Sequence, residues 1–241
     1  MKQLPKKIYP CPIVEAIVEL RFDPVFPPDA SDALFGILYN KMKDRFSEVK
    51  KLPILQIPDE IRAKDPNFQF KPYYQIIGTN YILQVGPRVI SLNTKGDYQG
   101  WENFSSEAVC VFSEINGLGV LGNIKRFALR YVNFFDGDIM ERFDVDIKIG
   151  NIPINQKSLL RTEIQSKKFI STLQITNDAS MPDGKKGTVV DIDTIIKSYS
   201  NAEAFANNNL KTTMDEIHQE EKNHFFRIIG KNFLKELNPE Y

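Results

Sequence analysis

A chain of 241 residues with 42% hydrophobic and 26% charged residues has the balance of a folded globular protein, not a disordered one, and suits one large domain or two closely packed halves. Lys plus Arg and Asp plus Glu stand at 31 each, so no net field gathers nucleic acid or an anionic membrane, and the strongest candidate for a basic patch, Lys50–Lys51 in "KKLP", is small and sits near acidic residues. The apolar stretch near the start is interrupted by Glu15 and Glu19, which fits neither a secretion signal nor a membrane span, and Cys11 and Cys110 lie too far apart for a scaffold or a Cys-x-x-Cys pair, so unpaired thiols in a reducing cytoplasm are expected.

In chain order, "IVEAIVELRF" (13–22) alternates as a strand. Val14, Ala16, Val18, Leu20 and Phe22 share an apolar face; Ile13, Glu15, Ile17, Glu19 and Arg21 share a mixed one. "PVFPPDASD" is a stop, with Asp29 or Ser31 placed to cap a helix whose stripe is Phe35, Leu38, Tyr39, Met42 and Phe46. Strands are predicted within "FQFKPYYQII" and "NYILQVGPRVISLNT", with turns at Gly78–Asn80 and Gly86–Pro87. A second helix runs from Trp101 to Ile115 on the stripe Phe104, Ala108, Val111 and Ile115, and stops at Asn116–Gly117. "IKRFALRYVNFF" then closes a first half, residues 1–137.

The second half, 138–241, offers short strands in "FDVDIKIG", "SLLRTEIQS", "FISTLQITND" and "GTVVDIDTI". It ends in a helix from Asn201 to Leu237 on the stripe Leu210, Met214, Ile217, Glu221, Phe225 and Ile228, with Gly230 as a break. The order β-α-β-β-α-β, further strands and a long C-terminal helix predicts an α+β fold. It is expected to be one integrated unit of two sheet-plus-helix halves with mainly antiparallel sheet.

The motifs that could carry chemistry have simpler explanations. "GLGVLG" (117–122) matches the dinucleotide fingerprint in letters, but a helix precedes it and a strand follows, the reverse of what places a pyrophosphate on a helix N-terminus. The pairs Asp144/Asp146 and Asp191/Asp193 would each put two carboxylates on one side of a strand, yet no third ligand is near, so they read as solvated outer-strand faces. His218 and His224, six residues apart, fall on different sides of a helix, unlike a zinc-binding pair, and His218 reads as a packed, hydrogen-bonded residue. Trp101, the single tryptophan, either staples its helix or lines a pocket. Arg130 lies within an apolar strand and needs a carboxylate. Glu15 and Glu19, on the mixed face of the first strand, are its expected partners in a structural ion pair.

Taken together, "PIVEAIVELRF", "GPRVISLNT" followed by "YQGWENF", "LRYVNFF", "DIDT" and "EIHQEEKNHFF" resemble an uncharacterised, sporadically distributed prokaryotic protein family of about this length, across nearly the whole chain. The resemblance implies one integrated unit with a dispensable accessory role; it brings no catalytic residue.

No catalytic residue, metal site or cofactor is therefore expected. The leading expectation is a non-catalytic intracellular binding or interaction module acting on a protein partner or on a second copy of itself. The alternative is a protein that binds a small anionic ligand, or an enzyme acting on one, in a pocket near Tyr98, Trp101, Arg130 and Tyr131. Nucleic acid and membrane are not expected partners.

Overall fold

The computed structural model describes residues 4–27, 31–153, 157–197 and 209–241. The elements in order are β1 (Ile13–Pro24), α1 (Ser31–Met42), β2 (Glu48–Lys51), α2 (Asp59–Lys64), β3 (Tyr74–Ile77), β4 (Tyr81–Gly86), β5 (Val89–Thr94), α3 (Trp101–Gly117) and β6 (Leu121–Asp136). There follow β7 (Lys148–Ile149), β8 (Ile152–Pro153), β9 (Leu159–Gln165), β10 (Phe169–Ser180), β11 (Lys186–Ile196), α4 (Asn209–Ile228) and α5 (Lys231–Glu236). Nine strands form one sheet in the order β2-β3-β4-β5-β1-β6-β11-β10-β9, every neighbour antiparallel; β7 and β8 pair separately. The fold is α+β with mainly antiparallel sheet.

The alternation in β1 decides which face is covered. Ala16, Val18, Leu20 and Phe22 are buried under the helices, with Leu38, Met42, Phe104, Val111 and Phe112 from α1 and α3 in the same cluster. Glu15, Ile17, Glu19 and Arg21 point to the other face and stay half-exposed. At its start β1 departs from strict alternation: a register shift against β6 between Ile13 and Glu15 leaves Val14 exposed and brings Ile13 against the core. An extra residue in one strand re-aims the side chains beside it, and this one turns Ile13 toward the helix side.

β6 joins the two halves. It pairs with β1 on one side and β11 on the other, so the sheet runs unbroken through the boundary near residue 137. α4 lies across that boundary. Its Leu210, Met214 and Ile217 belong to the cluster with β1, and its Phe225 and Ile228 to a second one with Phe135, Ile175, Ile192 and Phe233.

Both predicted turns are present, between β3 and β4 and between β4 and β5, and α4 gives way to α5 at Gly230. "GLGVLG" joins the end of α3 to β6, the helix-to-strand order expected. "FDVDIKIG" yields a strand only at Lys148–Ile149. Asp144 and Asp146 lie outside it, because the backbone there bonds to the end of α4, with the Asp144 amide donating to Ile228 O at 2.7 Å. β2 and α2 have no counterpart in the predicted elements. Asp29, the Ser31 side chain and the helical start at 201–208 lie outside the described residues.

Gly187 of β11 is needed for closeness alone. A Cβ there would meet Phe135 O at 2.1 Å and the Phe134 ring at 2.7 Å. Gly187→Ala should cost about 1–3 kcal/mol in urea unfolding, the range for overpacking.

Candidate functional site

Trp101 opens α3, and its indole reaches α4. The ring stacks on His218 with centroids 4.1 Å apart and planes 6° from parallel, and Nε1–H donates to Asp215 Oδ1 at 2.7 Å. Lys211 Nζ donates to the same oxygen at 2.6 Å and sits 5.4 Å from the indole centroid. Trp101 thus fastens α3 to α4 and lines a cavity as well, so the two roles the sequence offered are held together.

Behind the indole runs a chain of polar groups. Tyr131, on the covered face of β6, has its hydroxyl 3.1 Å from Tyr98 Oη and 3.0 Å from His218 Nδ1. A neutral imidazole accepting at Nδ1 lets Tyr131 donate to it and accept from Tyr98, which satisfies all three. Burial favours these neutral forms: it pushes both tyrosines above the ordinary phenol range and pulls His218 down to about 3, with Lys222 adding to the histidine's shift.

Glu221 lies one turn beyond His218 on the buried stripe of α4. It is 2% exposed, and neither carboxylate oxygen makes a hydrogen bond of normal geometry among the described residues. Thr194 is its polar neighbour and opposes the shift through both its hydroxyl and its backbone N–H, neither of which reaches normal hydrogen-bond geometry; the hydroxyl also lies 2.8 Å from Ser171 Oγ. Burial first, then the negative charges of Asp193 and Asp191, raise Glu221 well above the carboxylate range, so it stands as a neutral acid.

These groups line one cavity of about 320 Å³. Tyr98, Trp101, Tyr131, Asn133, His218 and Glu221 supply its polar and aromatic surface, and Ile13, Ile192, Phe225 and Phe226 its apolar walls. The N-terminal segment forms the remaining side. It is tied to the C-terminal end through Lys6 N–H to Glu240 O at 2.6 Å and Tyr9 N–H to Leu237 O at 2.7 Å. Exposed Lys6 and Lys7 and half-exposed Lys222 lie at the rim beside Cys11, and none of the three lysines has an ion pair among the described residues. Lys222 is pulled below the usual lysine range by burial and then by the charge of Lys6. An anion at that rim would relieve both.

Of the four residues predicted to form a pocket, Tyr98, Trp101 and Tyr131 come together and Arg130 does not. Strand alternation sends Tyr131 and Arg130 to opposite faces of β6. Nor does Arg130 bond to Glu15 or Glu19. Its Nε and Nη2 donate to the two oxygens of Asp191 at 2.7 and 2.5 Å, and this pairing holds the guanidinium's pKa above its ordinary value. Arg126 bonds Asp193 through Nη2 alone, at 2.6 and 2.5 Å from its two oxygens, and its Nε lies 3.4 Å from Glu19; Glu19 accepts from Arg21, and Glu15 from Asn93. The cause is strand order. β11 flanks β6 and pairs Asp193 opposite Arg130, so the "DID" carboxylates, read from the sequence as solvated, are ion-pair partners.

Glu221, Lys222 and the N-terminal wall were not among the predicted site residues. For Glu221 a signal existed, a carboxylate within an otherwise apolar stripe of a helix. Among the described residues, no group of three or more His, Cys, Asp or Glu side chains could hold a metal ion, and no helix is long and apolar enough to cross a membrane. No family model matches the chain, and no curated protein matches it.

Proposed function

We propose that this chain binds a small organic acid with an apolar, aromatic body in the cavity between α3, α4 and the sheet. The observation that carries this reading is the Glu221 carboxyl, buried on the wall of an aromatic cavity with no hydrogen bond of normal geometry among the described residues. A buried polar group is expensive to leave unpaired, and a ligand acceptor would offset that cost. The neutral acid, Tyr98, Tyr131 and His218 suit an uncharged polar edge of the ligand, and Lys6, Lys7 and Lys222 suit its acid group. The interaction-module reading draws on the opposite sheet face, where Ile17, Val132, Phe134 and Ile195 stay half-exposed. The charges on that face already satisfy one another, which leaves less there to select a partner.

The single tryptophan makes the test direct. In a Cys110→Ser background, titration with anilinonaphthalene sulfonate, an aromatic acid, should quench Trp101 emission saturably at one site per chain. Lys222→Glu should weaken binding about tenfold, equivalent to 1.4 kcal/mol. Alkylating Cys11 with N-ethylmaleimide, which fills the rim, should abolish the quench. A quench that never saturates, or that ignores Cys11 alkylation, would sink the reading.

A further inference from the structure

Near the far end of β1, a second cavity of about 520 Å³ opens between that strand, the start of α1 and the short helix α2. Ile13 borders the first cavity and Phe22 the second, nine residues along one strand, or roughly 30 Å at the rise of extended chain. The two sites cannot share one small ligand.

Arg62 of α2 is 8% exposed and lines this second cavity. Its guanidinium lies over the Tyr73 ring, Cζ 4.4 Å from the centroid, and Nη2 donates to Asp59 Oδ1. Its Nε and Nη1 are buried and find no acceptor among the described residues. Stacking on an aromatic face stabilises the cation but takes up none of the in-plane N–H donors. Asp59 compensates weakly too, because its side chain is 90% exposed and largely solvated. A buried guanidinium with unused donors is a costly arrangement, and its cost falls when a planar acceptor arrives.

We propose that Arg62 is the head-group receptor of a second binding site, for a monocarboxylate with an aliphatic body. The guanidinium fork matches the two oxygens of a carboxylate in plane. The walls beside it come from Phe22, Val25, Phe26, Leu34 and Val120, which suit a hydrocarbon tail. The other charges around the opening add no positive field, since Lys64 and Arg88 stand against three carboxylates, Asp59, Glu60 and Asp65. A polyanion therefore gains nothing over a single negative charge, and the buried Arg62 selects a monoanion.

The experiment compares decanoate, decanol and inorganic phosphate by calorimetric titration against the native chain and Arg62→Met. Native protein should bind decanoate saturably, with decanol and phosphate each at least tenfold weaker. Arg62→Met, a linear apolar side chain of similar length, should melt no lower than native and lose decanoate affinity at least tenfold. Should Arg62→Met fail to fold, Arg62→Lys keeps the charge without the fork and should still lose several-fold in affinity. Alkylation of Cys11 closes the first cavity and should leave decanoate binding intact, so failure here and failure of the organic-acid site are read separately. Absence of decanoate binding, equal binding by Arg62→Met or Arg62→Lys, or phosphate binding as tightly as decanoate would overturn the proposal.

Discussion

Replacing Glu221 by Met should stabilise the protein at neutral pH by about 1–3 kcal/mol, the cost of a buried unsatisfied polar group, and should remove binding in the aromatic cavity. For a chain of this size, roughly 2–4 °C of melting temperature accompanies each kcal/mol. The sign follows from proton linkage. In the unfolded chain Glu221 ionises near 4.5, whereas burial holds it protonated in the folded state well above that value. Over that interval the unfolded state binds fewer protons, so the glutamate makes folding less favourable as pH rises from 4.5 toward its folded pKa. Met has no such term, and its advantage should widen between pH 5 and pH 8 in urea unfolding. Glu221→Gln separates stability from recognition. An amide keeps a donor and an acceptor where the neutral acid had them, so ligand affinity should stay within a few-fold of native while Met abolishes it. A Met variant less stable than native at both pH values would show that Glu221 is satisfied in the folded protein and would remove the main support for the site.

What the sequence discloses here is what periodicity encodes. The alternation of β1, the stripe of α3 and the stripe of α4 each placed their buried residues on one side, because burial on one face imposes a repeat on neighbouring positions. Pairing between distant segments leaves no such local trace. Arg130 visibly needed a carboxylate, but naming Asp191 over Glu15 or Glu19 required knowing that β11 lies against β6. Ile13 escaped for a related reason: a bulge resets the alternation without any marker residue in "PIVEAI". The cavity was legible in part, since Tyr98, Trp101 and Tyr131 were grouped as neighbours. Its wall of residues 6–13 was not, because it forms by bonding the two ends of the chain to each other. Glu221 broke the apolar stripe in plain sight. The ordinary meaning of such a break is a solvated turn of helix, and only the packing of α4 against β11 and β6 shows otherwise.

His218→Phe should destabilise the protein at pH 7 and cease to do so in mild acid. At neutral pH the variant keeps a flat ring against Trp101 but loses the acceptor for Tyr131, a loss of about 1 kcal/mol. Below pH 6.5 the balance changes. The unfolded histidine takes up a proton there, whereas the folded ring, held down to about 3 by burial and by Lys222 and Lys211, stays neutral. The unfolded state then binds more protons, so native stability falls as pH drops from 6.5 toward 3. At pH 4.5 this amounts to about 2 kcal/mol after allowance for the ring's partial exposure. Phenylalanine escapes that loss. His224, held below its usual pKa by burial despite Glu220 at 3.5 Å, adds a slope of the same sign, but it is common to both proteins and cancels in their difference, as to first order does Glu221. Urea midpoints measured from pH 7.5 to 4.5 should therefore cross, with native protein the more stable at the upper end and the variant at the lower. Parallel curves would mean that His218 takes up its proton as readily in the folded state as in the unfolded one, and so is charged there in mild acid. Tyr131 could then no longer donate to it, and the cavity would carry a positive charge at its centre.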